Sequence, residues 1–227
     1  MKTIVAASIM ALTATSAFAF GGPKPPRHNP PPAPEINMNQ VFQGIQAALN
    51  KIEGGDDVQD IEQTALNAAN LINLPEEELD VVTQSAAGAQ LAANYVNFSD
   101  DLDEVMQSAT NVLNSVTVSS VTGSITQTTT AGQAALNAVE GLGSYGGYKH
   151  GSHGGHGSDD INDVTQTALN AANLVSLGEV SDDLNIVQTF TTGQLAANYV
   201  GALDNVSTVT QSATNVANSI GAITAGE

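Results

Sequence analysis

A short phrase of glutamine, alanine and asparagine returns along the whole chain. Gln-Thr-Ala-Leu-Asn-Ala-Ala-Asn-Leu occupies residues 63–71 and again residues 166–174. Weaker copies begin at Gln84, Gln107, Gln127, Gln188 and Gln211. Successive glutamines lie 21, 23, 20, 39, 22 and 23 residues apart, which indicates a unit of about 22 residues with one interruption. A period in this range is typical of stacked repeat folds, in which each small unit buries its surface against its neighbours.

The units fall into two related blocks. Three of them recur in the same order at offsets of 103, 104 and 104 residues, so that Gln63, Gln84 and Gln107 become Gln166, Gln188 and Gln211. The unit at Gln127 stands between the copies, and Val41-Phe42-Gln43 is interpreted as the start of a degenerate leading unit. We predict one repeat block over residues 38–140 and a second over 161–223, joined by a Gly/His-rich linker over 141–160.

The phase of the polar residues predicts strands. Val164, Gln166, Ala168, Asn170 and Ala172 recur with a period of two, which places them on one face of a strand. The β-branched residues that precede several glutamines favour strand, and asparagine is unfavourable inside a helix. The Ala-rich stretch 65–71 is also compatible with a helix, so a helical repeat is the alternative. We therefore predict an all-β repeat protein, a β-solenoid of about seven or eight strand-turn-strand rungs with one unit in each rung.

In such a solenoid, equivalent side chains stack at the spacing of hydrogen-bonded strands, about 4.8 Å. A buried amide without partners is costly, but in a ladder each amide donates to the next and accepts from the previous one. Recurrence of the amides in phase with the β-branched residues favours this ladder over solvated polar positions. The predicted ladder consists of Gln63, Asn67, Gln84, Gln90, Asn94, Gln107, Asn111, Gln127, Gln133, Asn137, Gln166, Asn170, Gln188, Gln194, Asn198, Gln211 and Asn215.

The N terminus has the pattern of a secretory signal. Lys2 precedes an apolar stretch from Ile4 to Leu12, and Ala17-Phe18-Ala19 forms an A-x-A cleavage site. The apolar part is too short for a stable membrane span. We predict a signal peptide over residues 1–19, then an extended Pro/Gly-rich leader over 20–37.

Composition narrows the possible partners and activities. The formal net charge is -18, so we expect neither nucleic-acid binding nor direct membrane insertion. Without cysteine the chain cannot rely on disulfides, and its few aromatic residues, with no Trp, argue against a conventional large apolar core. The sequence contains no paired catalytic carboxylates, nucleophile motif, phosphate-binding loop or cofactor fingerprint. We therefore expect no enzymatic activity, cofactor or catalytic residue.

Charged and histidine clusters lie between the glutamine phrases. At the rung corners, stacked carboxylates would oppose premature association. Solvated corners are favoured over calcium binding, because no calcium-binding nonapeptide or EF-hand loop is present. The linker histidines could chelate zinc or copper, but a spacer without a metal site is favoured. The acidic clusters are Asp56 and Asp57, Glu76 to Glu78 with Asp80, Asp100 to Glu104, Asp159 and Asp160, and Asp182 and Asp183; the histidines are His150, His153 and His156.

From about Gln63 to Asn218 the units resemble the curlin repeat of bacterial curli, secreted subunits that polymerise into amyloid fibres at the cell surface. The resemblance rests on glutamine followed by small residues, asparagine and alanine, after a secretory signal. Curlin units have Gln-x-Gly-x-x-Asn-x-Ala, whereas the segment Gln211-Ser212-Ala213-Thr214-Asn215 is one residue tighter. The resemblance implies a secreted structural subunit of extracellular fibres for surface adhesion or biofilm matrix, with a nucleator or another matrix subunit as a further partner.

The ends of a solenoid decide whether it polymerises. Neither end of the predicted solenoid shows a cap, so one molecule could template the next head to tail. A monomeric solenoid adhesin or envelope anchor, and a helical exported protein, are the alternatives.

Overall fold

The computed structural model describes residues 15–17, 35–53, 58–98, 102–141, 161–201 and 206–222. These residues form strands and no helix, so the all-β prediction is confirmed and the helical alternative is wrong for this part of the chain. The strands are β1 (Thr15–Ala17), β2 (Asn37–Glu53), β3 (Val58–Phe98), β4 (Leu102–Gly141), β5 (Val164–Leu177), β6 (Asn185–Phe190), β7 (Gln194–Gly201) and β8 (Val209–Ala222).

The strands form where side chains alternate between interior and solvent. In β5, Val164, Gln166 and Ala168 are fully buried, whereas Thr165 and Thr167 are exposed. A strand places successive side chains on opposite faces, so this alternation follows directly from the period-two pattern. The phase predicted from the sequence is confirmed for this strand.

The register of the sheet differs from the prediction. Strands are parallel, and Asn37 of β2 pairs with Val81 of β3 while Val58 of β3 pairs with Leu102 of β4. Hydrogen-bonded partners are therefore 44 residues apart in this half of the chain, as in the side-chain bond from Gln84 to Gln40. The predicted rung of about 22 residues, with every unit stacked on the next, is wrong. Each unit pairs with the next unit but one.

Two unit types explain this register. Long units carry Gln-x5-Gln-x3-Asn, as in Gln84, Gln90 and Asn94, and short units carry Gln-x3-Asn-x2-Asn. They alternate along the chain, and each type pairs only with its own type. The sheet thus has four levels, each made of one long and one short unit, in place of seven or eight single-unit rungs. From the N-terminal end, the long and short units of the four levels are β2 and residues 58–74, residues 78–98 and 102–118, residues 120–141 and β5, and β6–β7 and β8.

Bends recur at equivalent positions around each short unit. The bend after the short unit is an asparagine with φ between 53° and 56°, a left-handed conformation that asparagine tolerates better than most residues. The bend before it has φ between 48° and 54°. The first set is Asn70, Asn114, Asn173 and Asn218, and the second is Asp60, Glu104, Asp163 and Thr208.

Long and short units share one apolar interior. Val82 and Ile125 of the long units pack in a cluster with Val116 and Val175 of the short units. The two sequence blocks also belong to one sheet, because β4 pairs with β5, β6 and β7 across the linker. The sheet order is β1-β2-β3-β4-β5-β8, with β6 and β7 paired to β4.

The two ends of the sheet are different. At the N-terminal end, β1 pairs antiparallel with the outer edge of β2, joining Thr15 to Val41 and Ala17 to Asn39. In the full chain, β1 therefore covers Asn39 to Val41 of this edge; because β1 lies in the predicted signal peptide, the expectation that neither end of the repeat region is capped stays a prediction. The outer edges of β6, β7 and β8 carry no further strand among the residues that the structure describes. Most of the predicted leader and all of the linker after Gly141 lie outside the described residues.

Candidate functional site: six amide columns

Glutamine side chains stack in three columns along the hydrogen-bonding direction of the sheet. Within each column, Nε2 of one glutamine donates to Oε1 of the glutamine one level nearer the N terminus, over 2.6–3.0 Å. The columns are Gln40-Gln84-Gln127-Gln188 and Gln46-Gln90-Gln133-Gln194 in the long units, and Gln63-Gln107-Gln166-Gln211 in the short units.

Asparagine side chains form three further columns. Here Nδ2 donates to Oδ1 of the asparagine one level nearer the C terminus, over 2.7–3.0 Å. The columns are Asn50-Asn94-Asn137-Asn198 in the long units, and Asn67-Asn111-Asn170-Asn215 and Asn70-Asn114-Asn173-Asn218 in the short units. All predicted ladder residues therefore lie in the six columns, with each residue stacked on its own unit type.

The glutamine and asparagine columns have opposite polarity. Every column bond between glutamines points toward the N-terminal level, and every column bond between asparagines points toward the C-terminal level. The sheet therefore has two chemically different end faces. The C-terminal face presents glutamine oxygens and asparagine N–H groups. The N-terminal face presents glutamine N–H groups and asparagine oxygens.

The buried column amides also donate across the interior to backbone carbonyls of the other unit type. Gln166 Nε2 donates to the carbonyl oxygen of Tyr199 at 3.1 Å, and Asn170 Nδ2 donates to that of Leu195 at 2.8 Å. In the opposite direction, Asn137 Nδ2 donates to the carbonyl oxygen of Thr167 at 2.8 Å. These cross-bonds fix the orientation of each amide, because rotation by half a turn would set its oxygen against a carbonyl oxygen. They also tie the facing strands together.

Burial distinguishes the interior levels from the C-terminal one. Gln166 and Asn170 at the third level are completely buried, whereas Gln211 and Asn215, stacked on them at the fourth level, are exposed. Among the residues that the structure describes, only Oδ1 of Asn97 is a buried side-chain nitrogen or oxygen without a hydrogen-bond partner. The columns thus satisfy their buried amides, which would otherwise be strongly destabilising.

Sequence reasoning missed seven members of the columns. Three belong to the first long unit, and the other four form the asparagine column at the bend. The first three could have been found, because their Gln-x5-Gln-x3-Asn spacing is that of the later long units. The asparagines at the bend lie an odd number of residues from the other column residues of their unit, so the period-two pattern did not identify them. The missed residues are Gln40, Gln46 and Asn50, and Asn70, Asn114, Asn173 and Asn218.

Carboxylates form a column at the bend before the short units. Asp60, Glu104 and Asp163 occupy equivalent, exposed positions with left-handed backbone geometry. A hydrogen bond with Asp60 raises the pKa of Glu104, and the charges of Asp60, Asp103 and Asp163 raise it further. Stacked like charges therefore oppose one another along this edge. Of the three column residues, Glu104 belongs to a predicted corner cluster, whereas Asp60 and Asp163 were not named from the sequence.

Other predicted corner residues have different roles or lie elsewhere. Asp80 is bound, accepting hydrogen bonds from the backbone N–H of Ile36 at 2.7 Å and from Thr122 Oγ1 at 2.9 Å. Glu76 to Glu78, Asp182 and Asp183 are exposed. The linker histidines and the remaining acidic pairs fall outside the described residues. Within the described ranges, no three metal-binding side chains are close enough to hold an ion.

Comparison with known protein families, curated proteins and solved structures gives no match to this chain. In the part of the chain that the structure describes, no helix has the length and apolarity needed to cross a bilayer.

Proposed function

We propose that the chain is a β-solenoid of four coils that acts as a self-assembling structural subunit of an extracellular, curli-like fibre. The observation that carries this proposal is the C-terminal face, hereafter the open face, where all six amide columns and three parallel strand edges end with no further strand among the described residues. Secretion rests on the A-x-A signal pattern at Ala17-Phe18-Ala19. The principal partner is a second copy of the chain, with a nucleator or another matrix subunit as a further partner.

The solenoid geometry is supported by the packing of a long unit against a short unit at each level. A long unit and a short unit share an interior, are bridged by amide-to-carbonyl bonds, and are separated by bends at equivalent positions. The next level repeats this arrangement in register. A coil of two units per turn accounts for these features and for the alternation of unit types along the chain.

The open face has the properties of a templating surface. Ala168 at the third level is completely buried, but Ala213, which pairs with it at the fourth level, is exposed together with its neighbours Gln211 and Asn215. An exposed parallel edge with unpaired backbone groups binds another strand readily. The first level of another copy carries the same amide spacings and can continue every column.

A pair of adjacent lysine substitutions tests this proposal. Ala213→Lys places a charge on the open face, where a docked copy would bury it, and burial of an unpaired ammonium group is strongly unfavourable. Thr214→Lys makes the same change one residue away, on the outward face that the pairing register aligns with exposed Leu66. For chains that begin at Phe20, we expect electron microscopy to show fibres for the wild type and Thr214→Lys, but few or none for Ala213→Lys.

Sedimentation and far-UV circular dichroism complete the test. Because Ala213 is exposed in the single chain, Ala213→Lys should keep the β spectrum of the wild type while remaining monomeric. A wild-type chain that stays monomeric at high concentration would contradict the fibre proposal and favour the monomeric adhesin. Equal fibre formation by both lysine variants would mean that the open face is not the assembly surface.

A further inference from the structure

The interior holds one column in which the largest side chains lie only at the two ends. Phe42 pairs in register with Ala86, Ala86 with Thr129, and Thr129 with Phe190. Phe42 is buried in a cluster with Leu113 and four alanines, among them Ala86, and Phe190 packs against the same cluster while remaining partly exposed. Within one molecule, two small-residue levels separate the phenyl rings.

We propose that the junction between two subunits is an aromatic pair, formed when Phe42 of an incoming copy stacks on Phe190 at the open face. This inference rests on the proposed self-assembly and specifies its register. Phe42 follows Gln40 by two residues, and Phe190 follows Gln188 by two. Aligning Gln40 of the incoming copy with Gln188 therefore aligns the two phenylalanines.

Strand spacing makes the contact direct. Hydrogen-bonded strands lie about 4.8 Å apart, so paired phenyl rings fall within the range of offset-stacked aromatic pairs. Ala86 and Thr129 separate the two rings within one subunit, so no interior level offers this stacking. The fibre would consequently carry one Phe–Phe contact per subunit, located at the joint.

The polarity of the amides supports head-to-tail docking. The column bonds run so that Gln188 and Gln211 present their Oε1 atoms to the open face, where these oxygens accept no hydrogen bond from the described residues. At the other end, Gln40 and Gln63 are the first members of their columns and have Nε2 groups that can donate to those oxygens. Reversed docking would set glutamine oxygens against glutamine oxygens.

The docking edge is the one that β1 covers in the full chain. β1 pairs with Asn39 to Val41, immediately before Phe42, and Phe42 is buried in that form. β1 lies in the predicted signal peptide, whose removal leaves this edge of β2 without it. Docking of a second copy is therefore expected for the chain that begins at Phe20.

Disulfide trapping tests the pair, because the chain contains no cysteine. Phe42→Cys and Phe190→Cys are made in separate chains, each beginning at Phe20, and the two are mixed and oxidised gently during assembly. We expect peptide mass spectrometry to find a disulfide between position 42 of one chain and position 190 of another. Inside one molecule these positions are three levels apart, about 14 Å, beyond the reach of a disulfide.

Each variant alone is the control for polarity. Head-to-tail docking places like positions four levels apart, so neither single variant should form a disulfide in its fibres. Fibres of the mixture that contain no 42-to-190 disulfide, or that link like positions, would overturn this junction while leaving self-assembly standing. Absence of fibres from the wild type would instead overturn the proposed function.

A second pair of variants guards against loss of folding in the cysteine variants. Phe190→Leu removes the junction ring, and Phe98→Leu removes a completely buried ring from the interior. We expect Phe190→Leu to raise the concentration of chain left soluble after assembly by about two- to tenfold, with little change in the unfolding midpoint of the monomer. Phe98→Leu should chiefly lower the unfolding midpoint. If the rise in soluble concentration, relative to the fall in the unfolding midpoint, were the same for both variants, Phe190 would have no special role in assembly.

Discussion

At the scale of single residues, a buried carboxamide in this chain binds in three directions. Gln166 donates to Gln107 Oε1 at 2.8 Å and to the carbonyl oxygen of Tyr199 at 3.1 Å, and it accepts from Gln211 Nε2 at 2.7 Å. It is completely buried, so these bonds replace water. This one amide therefore connects the levels on either side of it and the facing strand.

Replacing this amide tests the value of a column. Gln166→Leu leaves Gln107 Oε1 and the Tyr199 carbonyl without these donors, and a buried unsatisfied group costs about 1–3 kcal/mol. We expect urea unfolding of the monomer to show a loss of about 2–5 kcal/mol. Thr165→Ser, on the exposed face next to it, should cost less than about 0.5 kcal/mol. Similar losses for both variants would show that the amide column contributes little to stability.

The carboxylate column gives a residue-scale prediction about pH. Asp60 and the nearby charges raise the pKa of Glu104 in the folded chain. The unfolded chain therefore releases this proton at lower pH, so the contribution of Glu104 to stability is fully present below the unfolded pKa and is lost as the pH rises through the folded pKa. We expect Glu104→Gln to match the wild type near pH 4 and to be more stable than it near pH 7, measured by thermal unfolding.

The matched control for this variant is Glu62→Gln. Glu62 is also exposed on β3, but its register partner is the uncharged Met106. The difference in stability between Glu62→Gln and the wild type should change little between pH 4 and pH 7. A pH-independent effect of Glu104→Gln would show that the column imposes no electrostatic cost.

At the scale of elements, glycine faces glycine where β2 pairs with β3. Gly44 of β2 pairs with Gly88 of β3, and both have positive φ. A Cβ atom on Gly88 would lie 1.8 Å from the carbonyl oxygen of Gly44. The first two long units therefore need glycine here both for the backbone conformation and for the close contact, whereas the third carries Ala131 at the paired position.

Alanine substitution at two glycines tests whether the contact at Gly88, and not the loss of any glycine, affects stability. Gly88→Ala forces the strands apart or distorts the backbone, and we expect a loss of at least about 1–3 kcal/mol in the free energy of unfolding. Gly193→Ala meets open space, with no atom within 4 Å of the new Cβ, and should change stability by less than about 0.5 kcal/mol. Urea unfolding that ranks Gly193→Ala as the more damaging variant would contradict the glycine contact.

At the scale of the whole molecule, the two end faces differ in the full chain. β1 occupies part of the outer edge of β2, whereas the outer edges of β6, β7 and β8 bear no strand in the described ranges. In the full chain, β1 therefore obstructs docking of another strand at Asn39 to Val41. Removal of the predicted signal peptide would free this part of the edge.

Comparing the full chain with the chain from Phe20 tests this difference. We expect the full chain to assemble more slowly and to shorten the fibres of the processed chain when it is mixed in at a low ratio, because its N-terminal edge is occupied. Light scattering and fibre length in electron micrographs measure the two effects. Assembly at the same rate with and without residues 1–19 would show that β1 does not block the edge.

Local sequence determined which residues form strands and which face is buried. Val164, Gln166 and Ala168 could be assigned to the interior because alternation along a strand is a property of the backbone itself. The identity of most column residues followed from the same phase. The asparagine at each bend did not, since Asn70 and its equivalents adopt left-handed geometry and leave the period-two pattern.

Only the tertiary structure decided which units pair. Stacking of consecutive units would set Gln63 on Gln84, but four residues later it would set Asn67 on Gly88 and leave the asparagine without a column partner. Pairing like with like sets Asn67 on Asn111 and satisfies both side chains. That choice depends on hydrogen bonds between residues 44 apart, which no local pattern contains. The sequence by itself therefore determined the strands and their buried faces, whereas satisfaction of buried amides across the levels selected the register.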